Sequence, residues 1–240
     1  MLTSLAMNAV HPSAVVDDGV VLGEGNVIGP YAVILGPATI GDGNWFGPHV
    51  VVGTPAEIRG IDHGDRVPGA QVGTGVHIGS RNVLREYTTV HQGHYAVTLV
   101  GDDCYLMNKV YIGHDNDIGD GVTMASSATL GGHIHVGPGA NLGMGVIVHQ
   151  RRVVGPGAMV GMGSVVTRDV PPYAMAYGNP CRVRGANQVG MRRAGVDDVT
   201  IADLERGYAA GRSAEDVRAG GDTAIVEAWS WWSRHTGDRK

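Results

Sequence analysis

Residues 112–148 read IGHDNDIGDGVTMASSATLGGHIHVGPGANLGMGVIV, and an aliphatic residue or methionine returns at every sixth position. The same spacing extends over the range 100–166, and a glycine follows most members of the series, as in Ile112-Gly113. A period of six matches neither the 3.6-residue turn of an α-helix nor the alternation of a simple strand. It is typical of a prism in which short strands form flat faces, turns form corners, and each corner turns one aliphatic side chain inward.

Two further runs of the repeat precede this one, over residues 10–52 and 72–90. Three hexapeptides close one coil, so the roughly 24 hexapeptides of the chain predict about eight coils. Repeats of this kind bury their apolar row only by stacking on their neighbours. We therefore expect residues 1–186 to form an all-β rod, a parallel β-helix.

The composition suits such a rod and excludes several classes of protein. The 240 residues include 39 glycines but one phenylalanine, as expected for tight corners around a narrow interior, and the net charge is −5. Two cysteines give neither a disulfide framework nor a metal-binding spacing. Because the chain lacks a signal-like start, a long apolar segment and a basic run, we expect a cytoplasmic location, no membrane span and no nucleic-acid partner.

The repeat breaks at residues 54–71, TPAEIRGIDHGDRVPGAQ, and more briefly within HQGHYAVTLV, residues 91–100. Polar excursions from a regular scaffold often carry binding residues, although a tolerated surface insertion is the simpler alternative. The charged and imidazole side chains of the longer loop are Arg59, Asp62, His63, Asp65 and Arg66.

The repeat ends after Val166, and paired prolines in TRDVPPYAMAYG prevent a continued ladder. Residues 187–240 then change in composition and predict a small C-terminal helical domain of three or four short helices, one of them over SAEDVRAG. Asp197 or Asp198 is suited to cap one helix and Ser213 another. Spacing at 201, 204 and 208 places Ile, Leu and Tyr on one helical face. The tryptophans Trp229, Trp231 and Trp232 are expected to pack the helices.

Histidines within the repeat are the candidates for chemistry. His114 is followed directly by Asp115, a pairing in which a carboxylate can orient an imidazole that accepts a proton. One coil takes about 18 residues, so His114 and His133 should be adjacent, with His149 about one coil further in the same column. The alternative is that these are ordinary surface histidines, as His91 and His135 can also be.

Several motifs together resemble a known family. In chain order they are VHPSAVVDDGVVLGEGNVIGPYAVI, SRNVLREYTTVHQG, MNKVYIGHDNDIG, LGGHIHVG, IVHQ, PPYAMAYGNP and MRRAG. This set is similar to the UDP-N-acetylglucosamine acyltransferases of lipid A biosynthesis along almost the whole chain. The hexapeptides alone occur in many acyltransferases, whereas this combination is far more specific. The resemblance implies a left-handed β-helix and a homotrimer with its active site in clefts between subunits.

The resemblance also implies roles for individual residues. His114 would be the general base, Asp115 would hold its imidazole, and the N–H of Gly132 would stabilise the oxyanion. The acyl donor would be carried on the phosphopantetheine of acyl carrier protein, with no other cofactor and no metal. The remaining residues would contact the acceptor, the pantetheine or the nucleotide diphosphate: Tyr111, His133, His149, Gln150, Asn187, Arg192 and Arg193.

Three positions bear on specificity. Met162 stands where the family measures acyl length, and its bulk predicts a short or medium acyl chain. Tyr111 stands where the family usually has histidine, and Val189 where it usually has glutamate. We therefore expect transfer of an acyl group, such as a 3-hydroxyacyl group, to a hydroxyl or amine of a nucleotide sugar such as UDP-N-acetylglucosamine.

Three alternatives remain at this stage. One is a coenzyme A-dependent acetyl- or succinyltransferase of the same fold, acting on an amino sugar or a secondary-metabolite precursor. Another is a zinc lyase of the γ-carbonic anhydrase type, which Gly119 and the spacing of His133 and His135 disfavour. The last is a catalytically inactive scaffold.

Overall fold

Twenty-five short strands and three helices form the described part of the chain, which in this computed structural model comprises residues 7–60, 73–214, 216 and 222–237. Most strands contain two or three residues because the chain turns after each one. In chain order the strands are β1 Ala9–Val10, β2 Val15–Val16, β3 Val20–Leu22, β4 Val27–Ile28, β5 Val33–Ile34, β6 Ala38–Ile40, β7 Trp45–Phe46, β8 Val51–Thr54, β9 Val76–Ile78, β10 Val83–Leu84, β11 Thr89–His91, β12 Thr98–Val100, β13 Tyr105–Leu106, β14 Tyr111–Ile112, β15 Asp117–Ile118, β16 Thr123–Met124, β17 Thr129–Leu130, β18 His135–Val136, β19 Asn141–Leu142, β20 Ile147–Val148, β21 Val153–Val154, β22 Met159–Val160, β23 Val165–Val166, β24 Ala174–Tyr177 and β25 Arg182–Ala186.

The strands stack into three parallel sheets, one for each face of a prism. Every third strand of the coils belongs to the same face: the first face runs from β1 to β22, the second from β2 to β23 and the third from β3 to β21. Within the described residues, two faces hold eight coil strands and the third holds seven. The prediction of about eight stacked coils is therefore confirmed.

Two rows of side chains point into the prism, and one row lies at a different position in the hexapeptide from the one predicted. From Ile28 to Val166 the described residues of the repeat series are buried, but each lies second or third in its strand, as Ile112 does in β14. Their predicted placement at the corners is wrong, because the turn follows two to three residues later. A second buried row lies two residues before the first and is formed by Cys104, Val110, Val122, Ala128, Ile134, Ala140, Val146 and Ala158.

Most corners of the described coils use one residue in the left-handed backbone region. At many corners this residue is glycine, such as Gly121 and Gly139, which have φ values of 65° and 66°. At two corners it is Asp115, with φ 58°, and His133, with φ 59°. Aspartate and histidine tolerate this conformation better than most residues, and here the corner projects a functional side chain outward.

The rod ends in an antiparallel pair of strands and three helices. β24 continues the first sheet and pairs with β25. The helices are α1 Gln188–Arg193, α2 Asp198–Ala209 and α3 Thr223–Thr236. Asp197 caps α2 by accepting from two backbone N–H groups, as predicted. Ile201, Leu204 and Tyr208 are buried against the rod, which confirms their common face.

Three details of the C-terminal part bear on the sequence predictions. The helix expected over SAEDVRAG lies largely outside the described residues, as do Asp62, His63, Asp65 and Arg66 of the longer loop. Trp229 and Trp232 are buried in the packing of α3. None of the helices that the structure describes combines the length and apolar character that a membrane crossing requires.

Candidate functional site

The His114 ring lies at the corner that follows β14, almost enclosed, with 13% of its side chain exposed. Its Nδ1 lies 2.6 Å from Oδ2 of Asp115. A carboxylate at this distance holds the proton on Nδ1, so that Nε2 carries the lone pair. Among the described residues Nε2 has no hydrogen-bond partner, and it is therefore available to accept a proton from a substrate.

Asp115 is buried and held by the shorter of the two loops that interrupt the repeat. Its Oδ1 accepts hydrogen bonds from the N–H groups of His94, Tyr95 and Ala96, at 2.9, 2.8 and 2.7 Å. Its own N–H donates to the Thr98 hydroxyl. Burial of the carboxyl would raise its pKa, but the bonds from Ala96, His114 and the other donors outweigh that effect and hold the pKa below its usual value. Asp115 is thus a fixed anion beside the imidazole.

Replacing Asp115 by asparagine removes the negative charge, and the change in stability tests whether that charge stabilises the fold. A carboxyl whose pKa is lowered on folding stabilises the protein above its unfolded pKa of about 3.9, and this contribution is lost as the pH falls through the folded value. We expect Asp115→Asn to lower the free energy of unfolding by about 1–3 kcal/mol at pH 7, and the gap to close at acid pH. Denaturant titrations between pH 7 and pH 3 measure it.

Asp203→Asn is the control for that comparison, because Asp203 is an exposed carboxylate whose ion pair within the described residues is with Arg206 on the surface of α2. It should show no comparable gap at pH 7. A gap for Asp115→Asn that stays constant down to pH 3 would contradict the role of charge.

Gly132 lies one coil above His114 and has room for no side chain. A Cβ atom at this position would lie 2.5 Å from Cε1 and Nε2 of the His114 ring. The carbonyl of Gly132 accepts from Arg151, whereas no partner is recorded for its N–H among the described residues. The glycine thus allows close contact between the ring and the backbone, and it leaves one amide donor free beside the imidazole.

His133 follows Gly132 and completes the cluster. Its ring stands edge-on to that of His114, with 5.0 Å between ring centroids, and its Nε2 lies 3.6 Å from Asp115 Oδ2. Burial lowers the pKa of His133 despite the opposing effect of Asp115. His133 therefore favours the neutral form, and the adjacency predicted for His114 and His133 is present.

A second group of polar side chains lies beside the first on the neighbouring strands. Glu57, from the start of the longer loop, accepts a hydrogen bond from Tyr111 and lies 3.4 Å from Nδ1 of His91. Burial and the hydrogen bond to Glu57 raise the pKa of the Tyr111 phenol, so the tyrosine stays protonated. A Cβ on Gly113 would lie 2.8 Å from this carboxylate, so Glu57 crosses the strand that leads to His114.

His149 does not join the predicted column. Strand pairing places Leu130 beside Val148, so His149 stands in register with Gly131, and Gln150 with Gly132. The His149 side chain is exposed, and its Nδ1 lies 3.1 Å from the carbonyl of Gln150. The one-residue offset arises because His149 follows His114 by 35 residues, whereas two full coils have 36.

Met162 is 77% exposed and lies at a different edge of the same chain. It follows β22 of the first face, whereas His114 follows β14 of the second face. Met144 stands one coil below it and is 57% exposed, so two methionines form an apolar edge. A single chain therefore does not bring Met162 to His114.

The three residues expected to contact a nucleotide lie at α1. Asn187 caps this helix by accepting from the N–H of Gly190, and its amide donates to the carbonyl of Gly157. Arg192 forms an exposed ion pair with Asp198, and Arg193 is exposed. No recorded contact joins the three to His114 within the described part of this chain.

Four contributors to the site were not predicted from the sequence. They are the side chains of Glu57, Thr98 and Asn116, and the backbone of residues 94–96. Asn116 is buried, donating to the Gly113 carbonyl and accepting from the N–H of Ile134. The available signals were the break in the repeat after His91 and a polar asparagine at an inward position of the repeat.

Comparison with known proteins adds two kinds of similarity. The family model "Udp N-acetylglucosamine O-acyltransferase; Domain 2" matches residues 169–214. An acyl-[acyl-carrier-protein]--UDP-N-acetylglucosamine O-acyltransferase of Thermodesulfovibrio yellowstonii is 49% identical over 138 residues, 56% of this chain and 54% of that protein. One of Burkholderia orbicola is 35% identical over 62% of this chain and 65% of its own. The chain thus spans about half to just under two thirds of these curated relatives.

Solved structures match over more of the length. The UDP-N-acetylglucosamine acyltransferase of Campylobacter jejuni has a TM-score of 0.75 and 25% identity, covering 92% of this chain and 95% of its own. LpxA of Acinetobacter baumannii has a TM-score of 0.71 and 29% identity, covering 92% and 88%. The predicted fold class, a left-handed parallel β-helix with C-terminal helices, is confirmed.

Proposed function

We infer that this chain, which resembles the UDP-N-acetylglucosamine O-acyltransferases in sequence and fold, transfers an acyl group from acyl carrier protein to a hydroxyl of a nucleotide sugar such as UDP-N-acetylglucosamine. The observation that carries this proposal is the His114–Asp115 pair beside the free N–H of Gly132. The names of the relatives favour a carrier-protein donor over the coenzyme A alternative. The protein is expected to act in the cytoplasm.

In the first step, the free imidazole nitrogen of His114 acts as the general base. Nε2 of His114 removes the proton from the sugar hydroxyl as the oxygen attacks the thioester carbonyl. The imidazolium that forms is stabilised by the Asp115 carboxylate at Nδ1. Because three N–H groups hold that carboxylate, the pair needs little rearrangement when the charge develops.

In the second step, a backbone N–H group stabilises the negative charge that develops on the substrate. Attack converts the carbonyl oxygen into an oxyanion, for which the N–H of Gly132 is a preorganised donor. When the intermediate collapses, the C–S bond breaks and the ester bond remains. The imidazolium returns its proton to the departing pantetheine thiolate, so the enzyme ends as it began. The proposed reaction uses no cofactor other than the phosphopantetheine of the donor.

We propose that the sugar acceptor binds beside the second group of polar side chains, next to His114. Tyr111, His91 and Glu57 lie next to the base and present hydroxyl, imidazole and carboxylate groups to a sugar. Arg192 and Arg193 are exposed guanidinium groups, which suit a diphosphate. Asn187 would place them by capping α1, and His133, His149 and Gln150 would line the groove beside the base.

The proposal includes a homotrimer, because one chain presents the parts of the site on different edges. Met162 and Met144 lie at the edge after the first face, and His114 lies at the edge after the second. Two adjacent chains of a trimer can bring such edges together across a cleft. The apolar methionine edge of one chain would then receive the acyl chain whose thioester meets His114 of its neighbour.

The donor and acceptor are tested in one assay. The chain should acylate UDP-N-acetylglucosamine with hydroxyacyl groups loaded on acyl carrier protein, detected as a new ester by mass spectrometry. The same acyl groups on coenzyme A are the matched control and should react at least about tenfold more slowly. Equal rates with both donors would contradict the role of the carrier protein, and no ester with either donor would refute the proposed acyl transfer.

Met162 is proposed to limit the acyl chain. Met162→Gly should shift the preference from short or medium chains towards longer ones by about tenfold or more in kcat/KM, because each methylene admitted to an apolar channel contributes to binding. Competition between carrier proteins loaded with different chains measures the preference. Met7→Gly, at an exposed methionine near the N-terminus, should leave it unchanged. A wild-type protein that favours the longest chain would refute the assignment.

A further inference from the structure

A second cluster of ligand-type side chains lies on the third face of the rod, where the proposed reaction uses no residue. Asp117 in β15 and His135 in β18 are paired in register on adjacent coils. His235, in the last turn of α3, reaches the same place from the helix. The ligand atoms of these three residues all lie within 4.8 Å of one another.

The contacts of His235 leave a nitrogen lone pair directed at a carboxylate. Its Nδ1 lies 2.7 Å from the Trp231 carbonyl, which can only accept, so Nδ1 carries the proton in the neutral ring. Nε2, the other ring nitrogen, lies 3.7 Å from Asp117 Oδ2. Two acceptor atoms therefore face each other. A metal ion between the two atoms would satisfy both lone pairs, as a proton or a bridging water also can.

The distances fit a metal ion better than a direct hydrogen bond. His135 Nδ1 forms a long hydrogen-bond contact of 3.4 Å with the same Asp117 oxygen, beyond the usual range for such bonds. Zinc binds nitrogen and oxygen at about 2.0–2.2 Å, so two of its tetrahedral ligands lie about 3.3–3.5 Å apart. The two separations of 3.4 and 3.7 Å are close to that spacing.

The surroundings also suit a metal site. The Trp231 carbonyl accepts a hydrogen bond from Nδ1 of His235, and metal-binding histidines usually have such a partner on the nitrogen that does not bind the metal. The Trp231 ring stacks on His235 with 3.8 Å between centroids and fixes the imidazole plane. The three side chains are between 20% and 36% exposed, so an ion can enter from solvent.

We propose that Asp117, His135 and His235 bind one divalent transition-metal ion, zinc in the first instance, with water completing its coordination. The ion joins two coils of the rod to α3, since two ligands come from strands and one from the helix. Its role is structural: it fixes the end of α3, whose Trp232 packs beside Val153 on the same face. No metal site was predicted from the sequence, because no pattern connects residues 117 and 235.

The test must separate this cluster from His114, Asp115 and His133, which also offer three ligand atoms within 4.8 Å of one another. The full chain without a polyhistidine tag is treated with a chelator, and Zn²⁺ is titrated by calorimetry at about pH 8, where protonation of imidazole competes least. We expect one ion per chain and a higher Tm with zinc than with chelator. Co²⁺ should give the visible absorption bands of a low-symmetry nitrogen and oxygen site.

Three variants report on the ligands. Asp117→Asn, His135→Ala and His235→Ala should each weaken zinc binding by at least about tenfold and abolish the rise in Tm. Asp117→Asn has the same shape as the wild type and keeps α3 in place, so it separates a lost ligand from a displaced helix. His133→Ala is the matched control and should bind zinc as the wild type does.

Each other outcome overturns the proposal. A wild-type chain that binds no zinc at pH 8 would leave Asp117, His135 and His235 as a polar cluster without a metal. Zinc binding that survives Asp117→Asn and is lost in His133→Ala would place the ion at the His114 cluster. Because all these readouts concern binding and stability, they do not depend on the proposed acyl transfer.

Discussion

His114→Ala is expected to lower kcat by about a hundredfold to ten-thousandfold while leaving the coils intact. The ring lies at a corner outside the aliphatic core, so its removal deletes the only proposed base without opening a cavity in that core. Asp115 would keep its three N–H donors, so the carboxylate stays in place. Steady-state rates with carrier-protein donors, together with circular dichroism and Tm, measure the two effects.

His77→Ala is the control for that variant. His77 is an exposed histidine in the middle of β9 on the third face, and its replacement should leave both kcat and Tm unchanged. If His114→Ala retained wild-type turnover, another group would have to accept the proton. The inactive-scaffold alternative would gain support only if the wild-type chain itself showed no turnover.

Gly132→Ala should be nearly as damaging, although it adds only one methyl group. The new Cβ would lie 2.5 Å from the His114 ring, a separation that forces the imidazole away from the free N–H beside it. Base and oxyanion donor would then no longer serve the same carbonyl carbon. We expect kcat to fall by about a hundredfold to a thousandfold, with a small effect on Tm because the ring can move towards solvent.

Gly139→Ala is the control for the steric clash, because it adds the same methyl group at a corner away from His114. Gly139 is another corner glycine, and a Cβ there would meet nothing within 4 Å, although its φ of 66° makes any side chain costly. This variant should lose about 1 kcal/mol of stability and keep its turnover. Wild-type activity in Gly132→Ala would show that His114 acts from a different position or that the N–H is not used.

The periodic part of the sequence predicted most of the fold, with one error. A six-residue repeat is a local signal, and stacking neighbours convert it directly into a rod with about three hexapeptides per coil. The position of the aliphatic residue within the hexapeptide was wrong, since Ile112 and its equivalents lie in strands. Spacing alone determines which residues are equivalent, and it does not determine which part of the equivalent unit bends.

The site was predicted less completely, for a related reason. His114 and His133 could be placed together because they differ by about one coil, and His149 was misplaced because a one-residue offset shifts a side chain off that column. The backbone of residues 94–96 and the side chain of Glu57 come from interruptions of the repeat. An excursion from a periodic chain has no register, so its contacts cannot be read from spacing.

The amino-acid sequence alone determined the rod, the pairing of His114 with Asp115, and the helical end, because each depends on residues near one another or one period apart. Only the tertiary structure decided which amides hold the Asp115 carboxylate, that Gly132 lies against the imidazole, and that His235 reaches Asp117 and His135. These contacts depend on separations of a few ångströms between coils, loops and a helix, which the order of residues along the chain does not encode locally.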